Sequence, residues 1–147
     1  MLLGKMLSVT LQYKKCLADT EFSVFSQFGD DGIIQYLINQ INPDEEFFIE
    51  FGVENYIESN TRYLLQNNNW SGLVIDGSKA NIDFIKNQSF YWRHDLRAID
   101  SFVTVENTNS LSSGVPKKIG LLHIDIDGND YWIWKAINNT VADIVIM

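Results

Sequence analysis

Three short acidic turns carry the residue types in this chain that could do chemistry. The first is Glu50-Phe51-Gly52, which ends the apolar run Phe47-Phe48-Ile49 and leads into Val53-Glu54-Asn55. The second is Asp76-Gly77-Ser78, after Leu73-Val74-Ile75, and the third is Asp125-Ile126-Asp127-Gly128-Asn129-Asp130, after Ile119 to Ile124. A carboxylate at the end of a buried strand can accept hydrogen bonds from a cofactor, and a glycine beside it lets backbone approach closely. Asp76 follows Glu50 by 26 residues. That is near the ~20 expected between a glycine turn and the acid that grips a ribose diol. An acid suits that task because its two oxygens can accept both hydroxyl hydrogens.

Several chemistries compete for these turns. A dinucleotide site needs Gly-x-Gly-x-x-Gly, but Gly52 is followed by Val53, Glu54, Asn55, Tyr56 and Ile57. Glu54 would also repel a pyrophosphate, which favours donors and positive dipole ends. The loop suits a cofactor without phosphates that bears an ammonium and a sulfonium, a description S-adenosylmethionine fits. The third turn is not an EF-hand: counted from Asp125, position six is Asp130 and position twelve is Ala136, where glycine and glutamate are required. Its Asp-x-Asp-Gly resembles the opening of aspartate-nucleophile phosphatases, although that motif belongs to a first strand. Such a cluster can also hold a divalent metal. Alternatively Asp125 and Asp127 face the acceptor as general base or hydroxyl-orienting group, and Asp127 or Asp130 caps the next helix. His123 shares a strand face with Asp125; a buried, hydrogen-bonded histidine is the simpler reading beside a catalytic base. Arg62 is read as a structural ion-pairing residue.

The elements that must position these residues follow from periodicity. Ile33, Ile34, Leu37, Ile38 and Ile41 form one helical stripe, entered through Asp30 or Asp31 as cap and ended by Asn42-Pro43. Strands are expected at 47–51, 72–76, 96–100, 119–125 and 141–147. Helices are expected at about 60–67, 79–87, 104–112 and over Trp132, Ile133, Ala136 and Ile137. Phe90-Tyr91-Trp92 reads as a strand or as loop aromatics over the core. Strands alternating with helices imply an α/β, doubly wound (Rossmann-like), mostly parallel sheet flanked by helices. Residues 1–24 read as an N-terminal arm and 25–147 as the domain. The apolar run Ala142 to Met147 ends the sequence and would leave an open edge, a possible surface for self-association.

Bulk properties narrow the partners. The 147 residues suffice for one core, and 20% charged with 46% hydrophobic is ordinary for a globular domain. A net charge of -8 argues against a nucleic-acid partner, which needs a basic face. Nothing approaches the ~18 apolar residues of a membrane span. The single cysteine, Cys16, permits no intrachain disulfide, and no secretion signal is read. A cytoplasmic location is expected.

Phe48-Ile49-Glu50-Phe51-Gly52-Val53, Ser59-Asn60-Thr61-Arg62-Tyr63-Leu64-Leu65, Gly72-Leu73-Val74-Ile75-Asp76-Gly77-Ser78 and Leu122 to Trp132 together resemble the FkbM-like branch of class I S-adenosylmethionine-dependent methyltransferases. Ser26-Gln27-Phe28-Gly29-Asp30-Asp31-Gly32 resembles its leading helix entry. The resemblance implies a seven-stranded doubly wound sheet, of which this sequence would lack the last two strands at its C-terminal edge. It implies methylation of a hydroxyl on a sugar, another glycan acceptor or a small natural product. By the same analogy Glu50 and Gly52 lie at the methionine part of the cofactor and Asp76 holds the ribose. Asp100 to Phe102 lie beside the adenine, and Asp125 faces the transfer site. The cofactor-binding set so implied is Glu50, Gly52, Asn55, Asp76, Ser78, Asp100 and Asp125, with Asp125 and Asp127 catalytic and no metal ligand assigned.

Overall fold

A computed structural model of the chain describes residues 16–147. Residues 1–15 of the expected N-terminal arm lie outside the described residues. The apolar runs form five strands: β1 (Phe47–Phe51), β2 (Ser71–Asp76), β3 (Leu96–Asp100), β4 (Lys118–Ile124) and β5 (Val141–Ile146). All pair in parallel, in the order β3-β2-β1-β4-β5. This is the Rossmann-like α/β sheet that strand–helix alternation implies. The chain builds outward from β1 to β3, then returns to lay β4 on the other flank of β1. The strand order therefore reverses between β1 and β4, where open α/β sheets leave a crevice at the carboxyl ends of the strands.

Both faces of the sheet are covered. The helices are α1 (Asp30–Ile41), α2 (Lys79–Lys86), α3 (Ser89–Arg93), α4 (Thr108–Leu111) and α5 (Asp130–Ala136). Side chains alternate across each strand. Phe48, Val74 and Leu121 pack on one face with Ile34 and Ile38 of α1, Ile82 and Ile85 of α2, and Phe90 of α3. Ile49, Phe51, Leu73, Ile75, Leu122 and Ile124 pack on the other with Ile133 of α5 and Leu111 of α4. Burial on both faces explains why the strands read as nearly continuous apolar runs. β3 and β5 are the two edges of the sheet. Among the described residues no helix is long and apolar enough to cross a membrane.

Several local expectations change. Phe90-Tyr91-Trp92 lies in α3, neither strand nor loop, with Phe90 buried and Trp92 exposed. The helix expected over 60–67 becomes a wide π-helical turn, Leu64–Asn68, that keeps Leu64 and Leu65 in the core. Its Asn68 Nδ2 donates to Gln35 Oε1 of α1 at 3.1 Å. The helix expected over 104–112 is only the single turn of α4. Asp30 and Asp31 occupy the first turn of α1 behind Gly29 and do not cap it. Asp31 Oδ2 instead accepts the backbone N–H groups of Val24, Phe25 and Ser26 at 2.7, 2.7 and 3.0 Å. Asp127 and Asp130 likewise leave α5 without a side-chain cap; Asp130 Oδ1 accepts from the Ile126 N–H at 2.8 Å and folds the turn back on itself.

One packing relation ties β1 to β2 without hydrogen bonds. Phe48 and Gly72 are register partners, and a Cβ built at Gly72 would collide with the Phe48 ring. Overpacking of this kind costs about 1–3 kcal/mol. Gly72→Ala should lower the urea midpoint by a corresponding amount, and Phe48→Leu in the same chain should recover part of the loss. A double variant no better than the sum of the two single changes would contradict this contact.

Candidate functional site

The parallel register sets Glu50 of β1 directly beside His123 of β4. Both lie at the switch between the two strands, and both are almost wholly buried, 2% and 7% exposed. A buried carboxylate is unfavourable unless its oxygens are hydrogen-bonded, and those of Glu50 are filled. Oε1 lies 2.9 Å from His123 Nδ1 and accepts from the Asn60 N–H at 3.3 Å. Oε2 accepts from Ser59 Oγ at 2.6 Å and from Thr61 Oγ1. Tyr56, fully buried, is hydrogen-bonded through its hydroxyl to Thr61 Oγ1 at 2.8 Å. Burial alone would raise the Glu50 pKa. The His123 hydrogen bond and charge, with the Ser59 and Thr61 hydroxyls, outweigh it and hold the carboxyl below its ordinary range. Burial likewise pulls His123 down, but Glu50, Asp125 and Asp30 raise it overall.

His123 Nε2 lies 3.1 Å from Asn60 Nδ2. With the amide nitrogen donating, Nε2 is the acceptor and the neutral ring carries its proton on Nδ1, toward Glu50. Protonating Nε2 then requires Asn60 to turn its oxygen inward. Glu50 therefore joins β1, the loop at 59–61 and β4 into one unit, and its acceptor positions are occupied before any ligand arrives.

Around this unit opens a cleft of about 950 Å³ at the carboxyl ends of the strands. Its walls come from the start of α1, the loop after β1, the turns after β2 and β3, and the turn after β4. Gly52 sits on its floor at φ 79, a left-handed conformation that glycine adopts without strain. A Cβ there would strike the Asp125 carbonyl oxygen, so the β1 and β4 turns can meet only at a glycine. Asp76, 9% exposed, braces the same loop: Oδ2 accepts from the Glu54 N–H at 2.8 Å. Its Oδ1 accepts from Ser78 N at 2.8 Å and Asn81 Nδ2 at 3.0 Å. Oδ2 thus keeps one acceptor position unfilled among the described residues. Ser78 caps α2 by accepting from the Asn81 N–H at 3.4 Å.

Of the residues singled out in the sequence, Glu50, Gly52, Asp76, Ser78, Asp125 and Asp127 line the cleft. Asn55 and Asp100 do not. Asn55 Oδ1 accepts from the Ile57 N–H at 3.0 Å and closes its own turn. Asp100 is exposed at the end of edge strand β3, and Ser101, Phe102 and Val103 take its place in the wall. Arg62 has no carboxylate partner among the described residues. Its Nη1 donates to the Tyr56 and Ile57 carbonyls, both at 3.0 Å, and its guanidinium lies 4.5 Å and 4.8 Å from the Phe25 and Phe90 ring centroids. It pins a loop in which Glu54 and Tyr56 both have positive φ. The sequence reading missed Gln27, Phe28, Glu58 and Asn60, which also line the cleft. The available signal was the donor-rich Ser59-Asn60-Thr61, which a buried Glu50 requires.

A parallel sheet with this order and this cleft is a Rossmann-like α/β fold, and solved methyltransferase structures share it. The backbone matches an O-methyltransferase from Bacillus cereus solved in complex with SAH, with TM-score 0.55 and 10% identity over 92% of this chain and 61% of that one. It matches a candidate RNA methyltransferase from Pyrococcus horikoshii with TM-score 0.51 and 11% identity, over 99% and 72%. It matches a candidate caffeoyl-CoA O-methyltransferase from Staphylococcus aureus with TM-score 0.52 and 15% identity, over 94% and 68%. This likeness is one of fold, and the chain spans 61% of the length of the Bacillus cereus enzyme. No protein-family model matches the chain. No curated protein matches it in sequence.

The buried pair has a pH signature. His123, raised above 6.5, contributes stability that is complete below that value and is lost as pH rises through its folded pKa. Glu50, lowered below 4.5, contributes stability that is complete above that value and is lost as pH falls through its folded pKa. The pair is strongest between those ordinary values. Proton-detected titration of the His123 ring should give a midpoint above 6.5 that falls in Glu50→Gln. An unchanged midpoint in the variant would contradict the pairing.

Proposed function

We propose that this chain binds S-adenosylmethionine in the cleft and transfers its methyl group to a hydroxyl oxygen of a small acceptor, such as a sugar or natural product, as an FkbM-like methyltransferase. One observation carries the reading: the cleft at the strand-order reversal is lined by carboxylates and, among the described residues, by no lysine or arginine. That lining suits a cofactor with an ammonium and a sulfonium and opposes one with phosphates. It also offers no lysine or arginine to the phosphoryl group of a phosphatase substrate, and its histidine, His123, is engaged by Glu50 and Asn60.

The residues present fit this cofactor. Asp76 has an acceptor position left for a ribose hydroxyl, Ser78 stands beside it, and Phe102 presents an exposed ring over Gly77 where a base could lie. Glu54 and Asp125 flank Gly52 and suit the amino-acid part. Glu50 supports these groups from beneath and makes no direct contact, because its oxygens are engaged. Asn55 and Asp100 have no part in this arrangement. When bound, S-adenosylmethionine supplies an activated methyl group, so the protein's task is in-line positioning and removal of the acceptor proton. Asp125 and Asp127 stand together on the turn after β4 with carboxylates free of hydrogen-bond partners among the described residues. In this reading one orients the acceptor hydroxyl and takes its proton as the methyl leaves sulfur for oxygen.

Calorimetric titration tests the reading. S-adenosylmethionine and its demethylated product should both bind at one site, and NAD should not. Asp76→Asn should weaken binding at least about tenfold, the loss of one charge-assisted hydrogen bond. Absence of binding by either adenosyl ligand would overturn the reading; unchanged affinity in Asp76→Asn would remove that residue from the ribose. Once an acceptor is in hand, Asp125→Asn or Asp127→Asn should lower kcat about 10²–10⁴-fold if it removes the base. Full turnover in both variants would exclude them from that role.

A further inference from the structure

S-adenosylmethionine carries a carboxylate as well as an ammonium and a sulfonium, and an acidic cleft is a poor host for it. Among the described residues, the one lining side chain that can become a cation is His123. Its Nε2 meets the amide of Asn60 at 3.1 Å, and Asn60 lines the cleft as well. The Asn60 N–H donates to Glu50 Oε1 at 3.3 Å, which anchors the amide on the same buried unit. Two residues further along each strand lie Gly52 and Asp125, which the cofactor's amino-acid part flanks in the reading above. These turns touch: the Asp125 N–H donates to the Phe51 carbonyl at 3.1 Å, and the Asp125 carbonyl sits against Gly52.

The two protonation states of the ring impose two orientations of the amide. Ionised Glu50 can only accept, so Nδ1, 2.9 Å from its Oε1, carries a proton in both states. With the ring neutral, Nε2 has a lone pair and needs the amide N–H, which is the arrangement seen. Asn60 Oδ1 then has no hydrogen-bond partner among the described residues and is open to solvent. The amide so placed shows the cleft an acceptor, which repels a carboxylate. With Nε2 protonated, the oxygen must turn inward and the NH₂ group faces out as a donor. We propose that Asn60, turned outward by protonation of His123, receives the carboxylate of the cofactor's amino-acid part, so that binding takes up one proton from solvent onto Nε2. The inference rests on the methyltransferase reading and deepens it. Asn60 touches the ligand; His123 and Glu50 are positioning residues behind it. The proton removes one negative charge from the Glu50–His123 pair where the carboxylate arrives. The charged groups that bear on the ring are Glu50 from β1, Asp125 from the turn after β4 and Asp30 from the start of α1, and all three favour its charged form against burial. The loop residues bonded to the pair, Ser59, Asn60 and Thr61, carry no charge.

Calorimetry about one pH unit above the His123 midpoint of the free protein tests this, in two buffers of different ionisation enthalpy. The ligands are S-adenosylhomocysteine and its decarboxylated analogue, which keeps the ammonium. S-adenosylhomocysteine should take up about half a proton or more, and its affinity should fall by up to about tenfold per pH unit above the midpoint. The analogue should take up markedly less and bind with a flatter pH profile. Asn60→Ala should abolish the difference in uptake. Asn60→Asp offers Nε2 an acceptor but gives the carboxylate no donor. It should raise the His123 midpoint and weaken S-adenosylhomocysteine about tenfold or more while sparing the analogue. If neither ligand binds, the methyltransferase reading falls and this inference with it. If both bind with equal uptake, or the difference survives Asn60→Ala, the reading stands and the proposal is overturned.

Discussion

The structure depends on where a buried carboxylate finds its donors. Glu50 sits inside the sheet at the end of β1, where an unpaired negative charge could not remain. Its partners come from three places in the chain: His123 on β4, and the backbone and hydroxyls of Ser59, Asn60 and Thr61 after β1. Satisfying one carboxylate therefore fixes the spacing of β1 and β4 where the strand order reverses. It also folds the 52–61 loop back over the strand ends.

A second set of contacts braces that loop from outside. Asp31 gathers the N–H groups of 24–26 and so positions Phe25, whose ring lies on the Arg62 guanidinium and whose carbonyl accepts from the Ser59 N–H at 3.0 Å. Arg62 in turn holds the Tyr56 and Ile57 carbonyls. Two residues with positive φ, Glu54 and Tyr56, are held in place by this clamp and by the Asp76 carboxylate. A cleft walled by such a loop is preorganised: a ligand need not order it on arrival, which removes part of the entropic penalty of binding. The acids that line the cleft without partners are what remains once the structural acids, Glu50, Asp31 and Asp76, have taken theirs.

Much of this was legible in the sequence. The five strands, α1 and α2 announced themselves because buried strands and one-sided helices have strong periodic signatures. The acidic turns at 50–52, 76–78 and 125–130 were found because strand, acid and glycine recur together. What was not legible is the partner each acid would choose. Asp30, Asp31, Asp127 and Asp130 all looked like helix caps, since capping is a local rule. Asp31 and Asp130 instead bond backbone in neighbouring turns, which only the tertiary fold brings near. Asn55 and Asp100 sit at plausible intervals, yet one closes its own turn and the other is exposed at the end of an edge strand, outside the residues that line the cleft. Phe90 to Trp92 carries strand-like aromatics, but with Arg93 it packs as a single helical turn under Tyr56 and Arg62. The π-helical turn at 64–68 has no sequence signature beyond its asparagines.

The central claim is that the Glu50-braced cleft holds an adenosyl cofactor by its ribose and its cationic end. A crystal structure grown with S-adenosylhomocysteine tests it most directly. The account predicts density for the ligand across the ends of β1 and β2, with the ribose hydroxyls on Asp76, the base against Phe102 and the amino group near Glu54 and Asp125. Density elsewhere on the surface, or a cleft that stays free of ligand at saturating concentration, would contradict it.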